Sequence, residues 1–471
     1  MAIDLNKPLT WKSASAEETA LLENLQGNIL KGHGREHATL LFIRFKKGAA
    51  AKARSFLRKV TTDFVGSAKE QLDASEEFKC HGTSGRVFVT VSLSSAGYAA
   101  LGVKVAKTPN NPAFLGGMKK KRTALNDPKT TAWELGYRGA IHALIVIADD
   151  LEARIAKTRG ELEELLKTCG KVVAREDGHG LRNQNNDHIE HFGYVDGRSQ
   201  PLMLQEDIQK ETTSGGIDQW SPTFGLNVAL VPDLGDPGAV NFGSYFVFRK
   251  LEQDVRTFKA EEKKLAKKLK LNGEAAELAG ALAVGRFEDG TPVVLQKTDG
   301  IHPVPNNFSY DADPSGGKCP FHAHIRKTNP RGDSVRQFGV SIDDERSHLM
   351  PRRGIPFGRR EVHPSDPILD EHPELYPTGG VGLLFMAYNA EIERQFEFTQ
   401  ISWANSTQFA GNTGVDPIIA QTTNPAGFQK WPVKWGQAGK DPSTPFSFAN
   451  FVTMKGGEYF FTPCLSFLKK L

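Results

Sequence analysis

Cysteine is scarce in this chain: four in 471 residues, Cys80, Cys169, Cys319 and Cys464, far apart and without paired spacing. Such usage excludes a disulfide framework and predicts reduced thiols. Cys319 with His322 makes half of a metal site at most, since no second Cys/His pair follows at zinc-finger spacing. Long apolar runs are also missing. No stretch could span a bilayer, and the opening MAIDLNKPLTWKSASAEE has no apolar core of the length an export signal needs. A cytoplasmic protein with no membrane partner is expected. Nor does one sign of charge dominate. Lys plus Arg number 59 against 55 Asp plus Glu, and the net +4 gives no electrostatic reason to expect nucleic acid. Small molecules are the expected partners.

What is present is a globular composition, 39% hydrophobic and 24% charged, in a chain too long for one ordinary core. The chain reads as if built twice. Residues 37–46 (HATLLFIRFK) have the β-branched and aromatic content of a strand and pass into the Ala-rich helical segment GAAAKARSFLRKV. Residues 244–250 (SYFVFRK) repeat that switch and run into LEQDVRTFKAEEKKLAKKLK, whose lysine-rich face is solvated. A second pair joins 143–148 (ALIVIA) to DDLEARIAKTRGELEELLKT and 382–388 (GLLFMAY) to NAEIERQFEFTQISWANS. Matching switches predict two related α+β units of antiparallel sheet and packed helices, 1–225 and 226–471, with the Pro/Gly-rich stretch 201–241 at their junction. The connections 286–320 and 354–382 are long enough to be functional coverings rather than turns.

Three segments carry chemistry. HFGYVDGRSQP (191–201) sets Asp196 between Gly193 and Gly197, residues that allow the backbone to turn and hold a carboxylate in place, although an Asp-Gly turn alone is common. CPFHAHIRKTNPR (319–331) offers two imidazoles, His322 and His324. A strand would put both on one face and a helix would separate them by about 200°, so spacing does not choose between them. MPRRGIPFG (350–358) offers Arg352 and Arg353, permanent cations with directed donors suited to developing negative charge.

Taken in this order, the segments resemble the dye-decolorizing peroxidase family. Its GxxDGxSxP pattern is complete in Gly193, Asp196, Gly197, Ser199 and Pro201. Its His-x-Arg-(Lys/Arg)-Thr-x-Pro-Arg pattern aligns on His324, Arg326, Lys327, Thr328, Pro330 and Arg331, and its Arg-x-x-x-Pro-(Phe/Tyr)-Gly pattern begins at Arg352, 28 residues later. ENLQGNILKGHGR and GSYFVFRKLEQDV extend the likeness to the family's larger, non-exported members, over about the whole chain.

The resemblance implies two ferredoxin-like halves with haem b in the C-terminal half. It makes His324 the proximal iron ligand, Asp196 the distal acid and Arg352 the distal cation. It also implies reduction of hydrogen peroxide, one-electron oxidation of dyes and phenols, and association into homo-oligomers. A ligating imidazole hands its second N–H to an acceptor. Relatives place an acid just after an apolar strand, which points to Glu391, with Glu393 as the neighbouring alternative and a helix N-terminal acid as the plain reading. Leu383 and Phe385 share one face of a strand, as distal pocket wall or as core. Arg331 and Arg336 are expected to pair with the haem propionates. Trp403, Tyr388, Trp431 and Trp435 are candidate electron relays for bulky dyes, set against ordinary packing. A second function class, a haem-handling or iron-releasing protein, would use the same axial histidine but would need neither Asp196 nor Arg352.

Overall fold

The predicted strand-to-helix switches all form. The computed structural model describes residues 3–366, 371–421, 429–437 and 443–471, so 367–370 of the connection 354–382 lie outside the described residues. The first half lays down β1 (His37–Phe45), β2 (Phe88–Leu93), β3 (Ala143–Asp149) and β4 (Gly170–His179); the second lays down β5 (Phe242–Gln253), β6 (Ile355–Phe357), β7 (Gly382–Asn389) and β8 (Val452–Thr462). Helices α1 (Ala50–Asp63), α2 (Glu152–Leu166) and α3 (Val255–Lys268) follow β1, β3 and β5. After β7 the predicted helix takes the wider π form over Glu393–Glu397 and Thr399–Ala404.

Both halves order their strands alike. The first runs β4-β1-β3-β2 and the second β8-β5-β7-β6, every pairing antiparallel. The same strand-helix-strand-strand-helix-strand succession therefore folds to the same order twice, the duplication read from the strand-to-helix switches in the ferredoxin-like form that the resemblance implied. The two sheets are not separate, however. They close into one barrel through single pairings, Phe461 with Leu93 and Gly178 with Phe357. Closure removes free sheet edges. At the first seam the buried Gln26 acts as a staple, its amide donating to the Val91 and Pro463 carbonyls at 2.8 Å while its oxygen accepts from the Val91 N–H.

Aromatic residues from both halves fill the barrel. Phe42 of β1 meets Phe248 of β5 at 4.6 Å and Phe460 of β8 at 6.4 Å between ring centres. The two-residue period of a strand then turns the alternate residues outward. On that outer face Leu383 lies opposite Leu251, and Phe385 opposite Arg249. The connection 286–320, which carries no named strand or helix, and the short helix α4 (His324–Thr328) supply further walls of a cavity over this face. Among the described residues no helix is long and apolar enough to cross a membrane.

Candidate active site

The cavity has a volume of about 530 Å³, within the range of roughly 300–1,000 Å³ usual for small-molecule sites. Leu383, Phe385, Leu251, Val284 and Ile325 supply apolar wall. Its exposed lining residues are Gly32, Gly34, His188, Gly197 and Gly354, which places its mouth beside Asp196.

His324 opens α4 and faces into the cavity, whereas His322 is fully buried, packed edge-on against Trp431 at 4.4 Å, and is not a lining residue. Of the two imidazoles that spacing left open, His324 is the one that lines the cavity. Its Nδ1 lies 2.8 Å from Oδ2 of Asp416. Asp416 is completely buried, and its Oδ1 accepts from the N–H groups of Ile418 and Ile419 at 2.8 and 3.0 Å. Burial pushes the imidazole towards neutrality, but the charge and hydrogen bond of Asp416 outweigh it and hold the His324 pKa above the ordinary histidine value. This partner corrects the expectation of Glu391. Glu391 is exposed, and its backbone N–H is held by Gln395; Glu393 accepts from Asn111 and Ala113. The Glu393 carboxylate is thus taken up by residues 111–113 and not by the imidazole.

On the mouth side, Asp196 sits in a tight hairpin closed by the pairing of Ile189 with Val195, with Gly193 at φ 102° and Gly197 at φ 77°. Both are left-handed backbone positions that favour glycine. The Asp196 N–H donates to the His188 carbonyl at 2.9 Å, and its carboxylate accepts from the Gly197 N–H at 2.6 Å. Arg352 approaches that carboxylate at 3.9 Å. It is fixed by its backbone N–H to Gln200 at 2.9 Å and by its guanidinium to the Ser199 carbonyl at 3.1 Å. The Ser199 hydroxyl in turn accepts from Asn329 and Arg331, tying the distal loop to the segment that carries His324. The serine of the GxxDGxSxP pattern is therefore a joint between the two sides.

The donor set fits haem. Among the described residues no cluster of three or more His, Cys, Asp or Glu could hold a bare metal ion, so a single imidazole suits an iron whose other ligands arrive with a macrocycle. Arg331 and Arg286 line the same cavity with neutral oxygens as their hydrogen-bond partners, the carbonyls of Asn306 and Phe308 and those of Gly290 and Pro305 among them. Burial lowers the Arg331 pKa to about 9 and that of Arg286 to about 10. Buried cations without a carboxylate call for an anionic ligand, and haem brings two propionates. Arg336 does not join them. It pairs with Asp311 and, at 2.8 Å, with Asp333, and it is absent from the lining, which corrects its expected propionate role. Trp403, Tyr388 and Trp431 are buried, and Trp435 is half-buried with its indole N–H on the Val293 carbonyl.

Glu190, missed in the sequence, lies in the same hairpin and lines the cavity. Burial raises its pKa to about 7 against the opposing hydrogen bonds from Phe192, Gln253 and Tyr194, with the charge of Asp196 adding to the rise. The folded protein therefore binds this proton more tightly than the unfolded chain does. The resulting stability is fully present below the unfolded value near 4.5 and is lost as pH climbs through about 7. A change of that size corresponds to about 3 kcal/mol. Melting temperatures of Glu190→Gln should fall less between pH 5 and 8 than those of the parent; parallel curves would show that Glu190 does not titrate there.

Comparisons with known proteins give the family. Residues 24–180 match the family model described as the DyP dimeric alpha+beta barrel domain. The chain is 46% identical to the multifunctional dye peroxidase DyP2 of an Amycolatopsis species, covering 100% of both, and the structure of that protein superimposes with a TM-score of 0.94. A DyP-type peroxidase from an Anabaena species is 41% identical over 98% of this chain and 96% of its own, with a TM-score of 0.91. A dye-decolorizing peroxidase of Mycetinis scorodonius is 28% identical over 98% of this chain and 90% of its own. Full-length likeness at this identity, over a duplicated barrel with an Asp-bound histidine facing an Asp–Arg pair, makes this chain a member of the dye-decolorizing peroxidase family.

Proposed function

We propose that the cavity holds haem b, that His324 would bind its iron as the proximal ligand, and that Asp196 and Arg352 would activate hydrogen peroxide there. One observation carries this reading: a single cavity is lined by an imidazole bound to a buried carboxylate and by a separate acid–cation pair beside the mouth. When bound, haem supplies an iron that takes oxidising equivalents from peroxide and passes them singly to aromatic donors such as phenols and dyes.

Asp416 keeps the proton on Nδ1 of His324, so Nε2 is free to face the iron and is made more basic. Asp196 takes a proton from incoming peroxide and returns one to the departing oxygen, the general base and acid of the step. Arg352, oriented by Ser199 and Gln200, stabilises the charge that develops meanwhile. Leu383 and Phe385 keep water from the haem face, while Arg331 and Arg286 hold its carboxylates. A haem store would need only His324 and Asp416, and the Asp196–Arg352 pair favours turnover. Hydrogen peroxide and aromatic reductants are thus the partners, and association into homo-oligomers belongs to the same reading. So does a cytoplasmic site of action, supported by four free thiols. Division into units 1–225 and 226–471 is supported by the four barrel strands on each side.

The Asp416 carboxylate accepts at both ends, from the imidazole and from two backbone N–H groups. An amide cannot do so, because one of its ends must donate. Asp416→Asn should therefore keep haem but weaken its hold and slow the reaction with peroxide by about 10–100-fold. Stopped-flow absorbance on the haem-loaded variant reads the rate; a parent-like value would separate Asp416 from the reaction.

A further inference from the structure

We propose that Arg353 and Gln71 clamp residues 28–35 as a strap across the cavity mouth, and that the strap sets the size of molecule able to reach the haem; this rests on the haem reading above. Arg353 follows Arg352 in sequence but aims elsewhere. Its backbone N–H is anchored on the Met386 carbonyl of β7 at 2.7 Å. Its guanidinium donates to the carbonyls of Asn28 at 2.7 Å, Ile29 at 2.9 Å and Arg352 at 2.8 Å. From the other side, Gln71 accepts from the Asn28 N–H at 2.6 Å and donates to the carbonyls of Lys31 and Gly32 at 3.0 and 2.9 Å. Asn28, at φ 71°, closes the bend by accepting from the His33 N–H at 3.2 Å.

With Asp207 pairing Lys31 and Asp150 pairing Arg35 at 2.7 Å, the two clamps hold a segment that has no named strand or helix of its own before β1. Gly32 and Gly34 then present bare backbone at the mouth, where His188, Gly197 and Gly354 are the other exposed lining residues. Because the rim is nearly all glycine, its width follows from where the backbone is held, and Arg353 and Gln71 bond that backbone directly, whereas the Lys31 and Arg35 pairs hold it through long side chains. A Cβ at Gly32 would meet the Arg353 side chain at 3.6 Å, ordinary contact, so a side chain can start from this exposed rim position without a clash at its first atom. The strap is expected to act on bulk, hindering large donors and large iron ligands alike while leaving small ones free to pass.

The test uses the haem-loaded protein and two ligands of ferric haem, cyanide and 4-phenylimidazole, with association rates read from the Soret shift. Arg353→Met and Gln71→Ala should speed 4-phenylimidazole about tenfold and leave cyanide within about twofold, whereas Gly32→Phe should slow 4-phenylimidazole by a similar factor. Amide exchange across residues 28–35 should quicken in Arg353→Met and Gln71→Ala, a readout that holds whatever the haem content. Unchanged exchange, or rates for the two ligands moving together in all three variants, would overturn the strap. A parent without a Soret band would instead defeat the haem reading, and the exchange data would still report on the clamp.

Discussion

His324→Ala is expected to emerge from haem-sufficient cells with little haem and no strong Soret band, while His322→Ala keeps both. The first loses the cavity's Asp416-bound imidazole; the second alters a ring packed against Trp431 outside the lining. Removing His324 also strands one oxygen of a fully buried carboxylate, Asp416, an unmet hydrogen bond that costs about 1–3 kcal/mol. The melting temperature of His324→Ala should fall accordingly. Imidazole added to this variant fills the vacated space, satisfies Asp416 and presents a nitrogen to the iron, so it should restore haem binding. Loss of the band in His322→Ala, with retention in His324→Ala, would reverse the assignment.

Asp196→Asn is expected to bind haem as the parent does and to react with peroxide about 10²–10⁴-fold more slowly, the share of a rate that a positioned proton-transfer group contributes. Asparagine fills the same space and can still accept from the Gly197 N–H, so the hairpin survives. It cannot take the peroxide proton. Arg352 remains beside it and still stabilises charge, which is why the loss should stop short of abolition. Stopped-flow mixing of the haem-loaded variant with peroxide reads the effect, and a parent-like rate would reduce Asp196 to a turn residue.

The parts legible in the sequence are those whose physics is local. Strand-to-helix switches depend on period and composition, so the βα units around 37–63, 143–166 and 242–268 were readable from their own residues. So was the Asp196 hairpin, because only glycine accepts its two left-handed positions cheaply. Barrel closure was not readable. Each seam rests on one pairing, and the strands would carry the same pattern if their sheets stayed apart. Asp416 was hidden for a similar reason. It lies 92 residues from His324 in a loop, and nothing in NTGVDPII distinguishes it from any Asp-Pro turn. Glu391 was misleading because an acid near a helix start has a local cause of its own. Arg336 misled as well, since a cation near the ligand in sequence was already neutralised by Asp311 and Asp333.

The central claim, that one cavity places haem between His324 and the Asp196–Arg352 pair, is tested most directly by the absorption spectrum of the purified protein before and after one equivalent of peroxide. The account predicts a Soret band at one haem per chain that shifts on mixing and returns when a phenol is added. A protein with no Soret band after haemin is supplied, or one whose band ignores peroxide, would contradict it.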